Sequence, residues 1–278
     1  MANYQFSYEC LFYPKVAMTG QTDPQVRQIE EIILSLRQND EKIRVLDFGM
    51  GKGRLLATIA ENSRLTGTDV REWLDYFGYD KFPTYKQMCE DILKTAYGQT
   101  ENRYYNDQQR MLSDHPENSF DLIIMTNVLH EIEPSDWITI FTSQINLFKL
   151  LKDDGFLLIV EDQLLTIGEK AHAKGFLVLD TLELKKLFAI TSSDNYRYKD
   201  ARGDGKLKAH FIPKAAISRV TATTRKEALE TLIDASKDRI RHLRSQPDSY
   251  KNGRLHAFWT QQLANSSLAL EELSGTPH

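Results

Sequence analysis

Three glycines occupy alternate positions directly after an apolar run: Gly49, Gly51 and Gly53, within IRVLDFGMGKGRLL, Ile43–Leu56. Each glycine in a regular element costs roughly 0.5–1 kcal/mol of stability relative to alanine. Glycines this close together indicate that the chain turns very tightly here, or that another molecule approaches the backbone. Asp47 closes the apolar run and adds a carboxylate beside the turn. We therefore interpret this stretch as a ligand-binding loop.

The elements around this loop predict an α/β fold. IRVLDF is short and β-branched, as a buried strand is, and GRLLATIAEN reads as a helix. Strand and helix patterns alternate from Ile43 to about Ile190, which predicts a doubly wound, mostly parallel seven-stranded sheet with helices on both faces. NYRYKDARGDGKLKAHFIPK predicts an antiparallel edge hairpin. Ligands of such sheets bind at the carboxyl ends of the strands.

Local signals set the expected boundaries. Asp23 and Pro24 predict the start of a first helix, as N-cap and first helical residue. SRLTGTDV predicts a second strand that ends at Asp69, and Ser135 is the predicted N-cap of a later helix. Two amphipathic patterns after Pro213 predict a C-terminal helical hairpin. We expect an N-terminal lid and helix at 1–42, a Rossmann-like domain at 43–213 and a helical extension at 214–278.

Two phosphate-binding motifs fail to match the glycines. A dinucleotide fingerprint, G-x-G-x-x-G, requires its third glycine at position 54, where the chain has Arg54. The P-loop fails because no G-K-[ST] follows at its spacing. Neither phosphate-binding motif therefore identifies the ligand of this loop.

VLDFGMGKG resembles the first motif of the class I S-adenosylmethionine-dependent methyltransferases, in which a strand ends in an acidic residue before G-x-G-x-G. The resemblance extends in order through LTGTDV, RYYND, FDLIIMTNVLHEI and LLKDDGFLLIVED, and covers about Ile43 to Pro213. It implies the Rossmann-like methyltransferase fold and S-adenosylmethionine as cofactor. In this family the glycines let backbone amides approach the methionine part of the cofactor.

The resemblance also implies a set of cofactor-binding residues. Asp69, at the predicted end of the second strand, would bind the ribose hydroxyls, and Asn106 and Asp107 would lie beside the adenine. Asp69 could instead belong to an ordinary turn, and Asp107 could be the N-cap of the next helix. The whole set comprises Asp47, Gly49, Met50, Gly51, Gly53, Asp69, Asn106, Asp107 and Asn127.

The loop after the fourth strand carries the catalytic candidates His130 and Glu131, in the region that faces the transferred methyl in the family. A histidine there can act as a general base, since its unperturbed pKa is about 6.5. The alternative is that His130 bonds to the backbone and Glu131 is solvated. Glu161 and Asp162 end the fifth strand and could orient a polar substrate, or simply be exposed.

The predicted activity is methyl transfer to an oxygen or nitrogen nucleophile of a small molecule or protein. The matching loop reads TNVLHEI, so it lacks the Asn/Asp-Pro-Pro-aromatic motif of DNA methyltransferases, and no acidic triad suggests a metal site. A general base is needed only where the nucleophile must lose a proton. The alternative function is a cofactor-binding or catalytically silent subunit that acts as a partner or regulatory protein.

Composition fits this interpretation. The 278 residues are 41% hydrophobic and 27% charged, with a net charge of −4, so neither nucleic acid nor a membrane is an expected partner. The two cysteines, Cys10 and Cys89, form no CxxC pair, and the first residues, MANYQFSYEC, do not resemble a signal peptide. We therefore expect a cytoplasmic protein.

Two flanking segments carry further expectations. Tyr4 to Tyr13 is rich in aromatic residues and is predicted either to pack as an edge segment or to close over the site as a lid. In the helical extension, Trp259 is the predicted buried anchor. A basic cluster in the same extension is predicted to point outward, where it could be plainly solvated or contact a protein partner: Lys237, Arg239, Arg241, His242 and Arg244.

Overall fold

A computed structural model of the chain describes residues 23–37, 41–98, 100–163, 176–201, 203, 205–273 and 275. The chain divides into two compact units, Met1–Ile124 and Met125–His278. The domain boundaries expected after residues 42 and 213 stay predictions. The aromatic segment from Tyr4 to Tyr13 lies outside the described residues.

The first unit alternates helices and strands as the sequence pattern predicts. Its described elements are α1 (Pro24–Leu36), β1 (Ile43–Phe48), α2 (Arg54–Leu65), α3 (Val70–Trp73), β2 (Leu74–Tyr79), α4 (Lys86–Tyr97), β3 (Tyr104–Tyr105), α5 (Gln108–Asp114) and β4 (Phe120–Thr126), whose last two residues fall in the second unit. A 3₁₀ turn, Pro83–Tyr85, precedes α4.

The start of α1 follows the predicted signals. The Asp23 carboxylate accepts hydrogen bonds from the backbone N–H groups of Gln25 and Val26, and Pro24 is the first helical residue. Asp23 also pairs with the guanidinium of Arg54, the first residue of α2. This ion pair links the two helix starts within the first unit. Arg54, which stands where a dinucleotide fingerprint would have its third glycine, therefore has a structural contact with Asp23.

Parallel pairing aligns the carboxyl ends of the strands in the first unit. β1 pairs with β2 from Ile43↔Leu74 to Phe48↔Tyr79, and the pairing of β1 with β4 reaches Asp47↔Ile124. β3 pairs in parallel with the end of β2. The loops that follow β1, β2 and β3 therefore leave the sheet at one edge.

The second unit contains the longest strand and the longest helices. Its described elements are α6 (Pro134–Thr142), β5 (Leu151–Asp162), α7 (Thr181–Leu187), β6 (Arg197–Asp200), β7 (Leu207–Pro213), α8 (Lys214–Ile217), α9 (Ala222–Arg244) and α10 (Tyr250–Leu273), together with 3₁₀ turns at Leu129–Glu131 and Leu147–Leu150. β7 pairs antiparallel with both β5 and β6, which confirms the predicted edge hairpin.

The strand order is β3-β2-β1-β4-β5-β7-β6 in a seven-stranded sheet. Strand number, parallel pairing of the early strands and an antiparallel β6–β7 edge agree with the predicted fold class. Within the described residues, no helix is both long enough and apolar enough to cross a bilayer.

One predicted helix start is wrong by two residues. α6 begins at Pro134 after the N-cap Glu133, and no side chain caps it. Ser135 is therefore inside the helix rather than its N-cap. The fixed φ of proline suits the first helical position, and at this helix Pro134 sets the start.

α9 and α10 form the predicted helical hairpin and pack on each other, and α9 also packs on α7. The buried residues of both helices recur at helical spacing: Ala228, Leu229, Leu232, Ser236, Ile240, Phe258, Gln262, Ser266 and Ala269. The predicted anchor is wrong: Phe258 is 5% exposed, whereas Trp259 is only half-buried. The buried face of α10 runs through Phe258, and Trp259 borders it beneath the exposed Arg239.

Candidate functional site

The glycine loop follows β1 and has a backbone that only glycine adopts readily. Gly49, Gly51 and Gly53 have φ angles of +88°, +55° and +72°. These lie in the left-handed region, where a Cβ atom is strained. The conformation explains why three glycines are present at alternate positions.

Hydrogen bonds fix this loop to the end of β2. The N–H groups of Gly49 and Met50 both donate to the carbonyl oxygen of Tyr79, at 2.8 and 3.1 Å. The N–H of Gly51 donates to Asp80 Oδ2 at 2.8 Å, and the thiol of Cys89 donates to the Gly51 carbonyl oxygen at 3.1 Å. The backbone of Gly51 is thus held on both sides.

The glycines serve different purposes. Among the described residues, a Cβ atom at Gly51 would meet only the Gly49 carbonyl oxygen, at 4.0 Å, so these residues leave the space beside Gly51 open. A Cβ at Gly53 would lie 2.8 Å from the side chain of Ile92, so Gly53 is needed for packing. Met50 is buried, and its sulfur occupies the space that a Cβ at Gly78 would need. Gly51 is therefore the position where a ligand can approach the backbone.

Asp47, the residue before the last of β1, is a buried carboxylate. Only 3% of the residue is exposed, and the hydroxyl of Tyr76 donates a hydrogen bond to Asp47 Oδ2. Burial raises the pKa of Asp47 to about 7, against the opposing hydrogen bond from Tyr76. Asp47 therefore fixes β1 to β2 through Tyr76, and a direct ligand contact through its side chain stays a prediction.

The raised pKa of Asp47 predicts a pH effect on stability. Between about pH 4 and 7 folded Asp47 holds a proton that the unfolded chain has lost, so the free energy of unfolding falls as pH rises. Asp47→Asn keeps an acceptor for Tyr76 without the charge. We expect it to stabilise the protein more at pH 8 than at pH 5, by roughly 1–4 kcal/mol.

Urea unfolding of both proteins at the two pH values measures this difference. Asp91→Asn, a change of the same type at an exposed position of α4, is the control and should show no such pH dependence. An equal effect of Asp47→Asn at pH 5 and pH 8 would contradict a raised pKa.

Asp69 does not lie at the end of a strand, so its predicted placement is wrong. Residues 63–70 form no strand; Asp69 is the N-cap of α3, which precedes β2. Its carboxylate pairs with Arg71, and that hydrogen bond lowers the pKa of Asp69 to about 2. Asp69 therefore precedes α3 and the whole of β2, whose six residues span roughly 20 Å at about 3.3 Å per residue.

Asp80 occupies the place that was predicted for Asp69. It follows Tyr79 at the carboxyl end of β2 and accepts hydrogen bonds from the N–H groups of Gly51 and Phe82, at 2.8 and 2.9 Å. A carboxylate has about four acceptor positions, so two contacts leave capacity for ligand hydroxyls. The feature of the sequence that points to Asp80 is the aromatic run LDYFGY, which forms β2 directly before this aspartate.

The segment after β3 keeps its predicted place at the same edge of the first unit. Asn106 and Asp107 follow Tyr104–Tyr105 directly. Asp107 is the N-cap of α5, because its carboxylate accepts from the N–H groups of Gln109 and Arg110. The capping alternative for Asp107 is thus observed, and contact with a cofactor stays a prediction for both residues.

The second unit contains a buried histidine–carboxylate pair. His130 lies in the 3₁₀ turn after β4 and Glu161 near the end of β5, and they are 2% and 1% exposed. His130 Nδ1 is hydrogen-bonded to Glu161 Oε2, and the N–H of Leu129 donates to Glu161 Oε1 at 2.9 Å. Burying a carboxylate is costly unless it is paired, and here both oxygens have partners.

This pairing decides what the imidazole of His130 can do. An ionised carboxylate only accepts hydrogen bonds, so Nδ1 of His130 carries the proton that faces Glu161. Nε2 is then the basic nitrogen of the neutral ring. The hydrogen bond to Glu161 therefore fixes the orientation of the His130 ring through Nδ1, and the use of Nε2 as a proton acceptor stays a prediction.

The neighbouring predicted residues have different environments. Asn127 has a φ of +54°, and its side-chain oxygen accepts from the N–H of Asp162 at 3.0 Å, which joins the ends of β4 and β5. Glu131 and Asp162 are exposed. Of the two catalytic candidates, His130 therefore has the buried, oriented environment. Among the described residues, no group of three or more His, Cys, Asp or Glu is arranged to hold a metal ion.

A family model described as a methyltransferase domain matches residues 21–196, more than half of the 278-residue chain. A search of the curated proteins found no match.

Several solved structures are similar to the chain. Phosphoethanolamine N-methyltransferase 1 of Haemonchus contortus, in complex with phosphoethanolamine and S-adenosylhomocysteine, is 15% identical with a TM-score of 0.48, over 91% of this chain and 57% of that one. The CurJ carbon methyltransferase is 14% identical with a TM-score of 0.47, over 68% and 54%. The mitomycin 7-O-methyltransferase MmcR is 16% identical with a TM-score of 0.43, over 68% and 53%. The chain spans little more than half the length of these proteins.

Proposed function

The chain belongs to the family of methyltransferase domains, whose cofactor is S-adenosylmethionine, and from this premise we propose that it methylates a hydroxyl or amine group of a small molecule or protein. The observation that carries the proposal is the buried pair of His130 and Glu161. It suits an acceptor that must lose a proton before or during attack on the methyl group.

The first unit supplies residues that fit the cofactor. The open space at Gly51 lets a ligand approach the backbone, and Asp80 offers a carboxylate at the end of β2. Carboxylates at this position of nucleotide-binding sheets bind ribose hydroxyls. Asn106 and Asp107 follow the neighbouring strand β3, where the adenine is expected. When bound, S-adenosylmethionine supplies a methyl group that is already activated by the positive sulfonium.

We propose Asp80, in place of Asp69, as the ribose ligand. Asp80→Ala should weaken binding of S-adenosylmethionine by roughly 10- to 100-fold, since hydrogen bonds to a charged group contribute about 1.5–3 kcal/mol. Asp69→Ala is the matched control and should leave the affinity within about twofold, because Asp69 lies before β2. Isothermal titration measures both. A larger loss for Asp69→Ala than for Asp80→Ala would reverse the assignment.

His130 is the proposed general base. His130 would accept the O–H or N–H proton of the acceptor on Nε2 as the acceptor takes the methyl group; the bond from the methyl carbon to the sulfonium sulfur would break, leaving a neutral thioether. The carboxylate of Glu161 stabilises the resulting imidazolium through Nδ1. The proton then leaves to solvent, and the ring returns to its neutral tautomer. Glu161 acts through His130 and is thus a positioning residue.

Methyl transfer from S-adenosylmethionine with a labelled methyl group, to a panel of phenols, alcohols and amines, tests this role. His130→Gln should lower the rate with any accepted compound by roughly 100-fold, the lower end of general-base contributions, with unchanged cofactor affinity. Glu131→Gln is the matched control, since Glu131 is adjacent and exposed, and should retain nearly the full rate. Equal rates for wild type and His130→Gln would remove His130 from the mechanism.

The same assay addresses the alternative of a catalytically silent subunit. Transfer by wild type to any compound of the panel would exclude that alternative. Tight cofactor binding with no transfer to any compound, alone or with co-purified proteins, would favour it over an active enzyme.

A further inference from the structure

The segment from Phe176 to Asp180 contacts His130 on both its ring and its backbone. The ring of Phe176 packs edge-on against the imidazole, with centroids 5.1 Å apart and an angle of 87°. The N–H of Leu177 donates to the carbonyl oxygen of His130 at 3.4 Å. Phe176 and Leu177 are buried, at 7% and 2% exposure. The position of this segment therefore determines the surroundings of the His130 ring.

Gln262 of α10 holds that segment through both ends of its amide. Its Oε1 accepts from the N–H of Val178 at 2.9 Å, and its Nε2 donates to the carbonyl oxygen of Phe176 at 3.1 Å. Asn265, nearly one turn along, donates to the same Phe176 oxygen at 3.1 Å. The amide of Gln262 thus pairs with the backbone on either side of Leu177, as the edge of a neighbouring strand would.

The chemistry of Gln262 is specific to this contact. Gln262 is 1% exposed, and the other buried positions of α10 are Phe258, Ser266 and Ala269. A helix that only packs would place an apolar side chain here, because burying an amide is costly unless its hydrogen bonds are made. Glutamine supplies one donor and one acceptor at the spacing that the extended backbone requires.

We propose that Gln262 is a positioning residue for His130, acting through the Phe176–Val178 backbone, so that the C-terminal helix is part of the catalytic apparatus. The proposal rests on the proposed function in one respect, namely that His130 is the base. The contacts form a short chain: the amide of Gln262, the backbone around Leu177, and then the ring and carbonyl group of His130.

Gln262→Met tests the proposal because methionine has a similar volume and helix propensity but cannot form either hydrogen bond. The readout is the NMR signal of His130 in the full-length protein labelled with ¹³C-histidine, assigned by its loss in His130→Gln and followed from pH 5 to 9. We expect Gln262→Met to move the chemical shift of the His130 signal away from its wild-type position, towards that of the exposed His242. Affinity for S-adenosylmethionine should stay unchanged.

Two controls separate positioning from a general loss of stability. Gln261→Ala removes the adjacent, exposed amide, and Ala269→Gly weakens α10 at a buried position away from the contact. Both should leave the His130 signal at its wild-type position. Asn265→Ala removes one of the three hydrogen bonds from α10 to the Phe176–Val178 backbone. It should shift the His130 signal in the same direction as Gln262→Met, by a smaller amount. This variant tests the proposal if Gln262→Met does not fold.

The outcome is independent of the proposed methylation. The positioning role would be overturned if the His130 signal did not change in Gln262→Met. If Gln262→Met does not fold, an unchanged signal in Asn265→Ala would overturn it instead. A shift in Ala269→Gly as large as that in Gln262→Met would also overturn it. None of these results would affect cofactor binding or the role of His130. A wild-type protein that transfers no methyl group, with His130 shifted by Gln262→Met as expected, would instead overturn the proposed function and leave the structural coupling in place.

Discussion

A valine at Gly51 is expected to lower the affinity for S-adenosylmethionine by more than about 100-fold, a loss of roughly 3 kcal/mol of binding free energy. The physical reason is local. The valine side chain would project into the open space through which the cofactor is proposed to approach the backbone. The backbone of Gly51 is held by Asp80 and Cys89, so it cannot move aside to restore that space. Isothermal titration of the Gly51→Val variant measures the loss.

Gly98→Val provides the matched control. Gly98 follows α4 with a φ of +77°, and no atom of the described part of the chain lies within 4 Å of its missing Cβ. A valine there therefore has a similar backbone strain at a position away from the glycine loop. We expect this variant to bind the cofactor as wild type does, at a similar cost in stability. Binding by Gly51→Val as tight as wild type would show that the glycine loop is not the cofactor site.

Truncation after Pro213 is expected to prevent folding of the second unit. The truncated chain lacks α9 and α10, whose buried Leu229, Leu232 and Phe258 each contribute roughly 1.5–3 kcal/mol on burial. It also leaves the side of α7 that packs on α9 exposed to water. The summed burial free energy of these three side chains is comparable to the whole free energy of unfolding of an ordinary domain, about 5–15 kcal/mol.

Circular dichroism and thermal unfolding of the purified truncated chain check this expectation, with aggregation as the anticipated result. Charge reversal of Arg241 and Arg244 in the full chain is the control. Both are exposed on α9, so the free energy of unfolding should change by less than about 0.5 kcal/mol. A truncated protein that melts like wild type would show that the helical hairpin is an independent module.

The sequence predicts most of the element order, because hydrophobic periodicity indicates the strands and helices, and glycine, proline and capping residues indicate where they end or begin. The second strand is the exception, since LDYFGY contains Asp75 and Gly78, which weaken a strand pattern. Both have tertiary reasons: Asp75 pairs with Arg103 at 2.8 Å, and Gly78 leaves room for the side chain of Met50. No local rule reveals such contacts, so the strand pattern does not place Asp80 at the end of a strand.

The candidate catalytic residues illustrate a second limit of sequence reasoning. His130 could be singled out by its position after β4 and Glu161 by its position near the end of β5, but their hydrogen bond joins residues 31 positions apart. Gln262 carried no signal at all, because a polar residue in an amphipathic helix is normally solvated. Its 84-residue separation from Val178 makes it a feature of tertiary structure alone.

Titration of the wild-type, full-length chain with S-adenosylmethionine, with NAD as the control ligand, tests the central claim most directly. The glycine loop with open space at Gly51 and a carboxylate at Asp80 predicts one saturable site for S-adenosylmethionine, and only weak binding of NAD, whose fingerprint glycine is replaced by Arg54. No saturable binding of S-adenosylmethionine, or tighter binding of NAD, would contradict the assignment of the site.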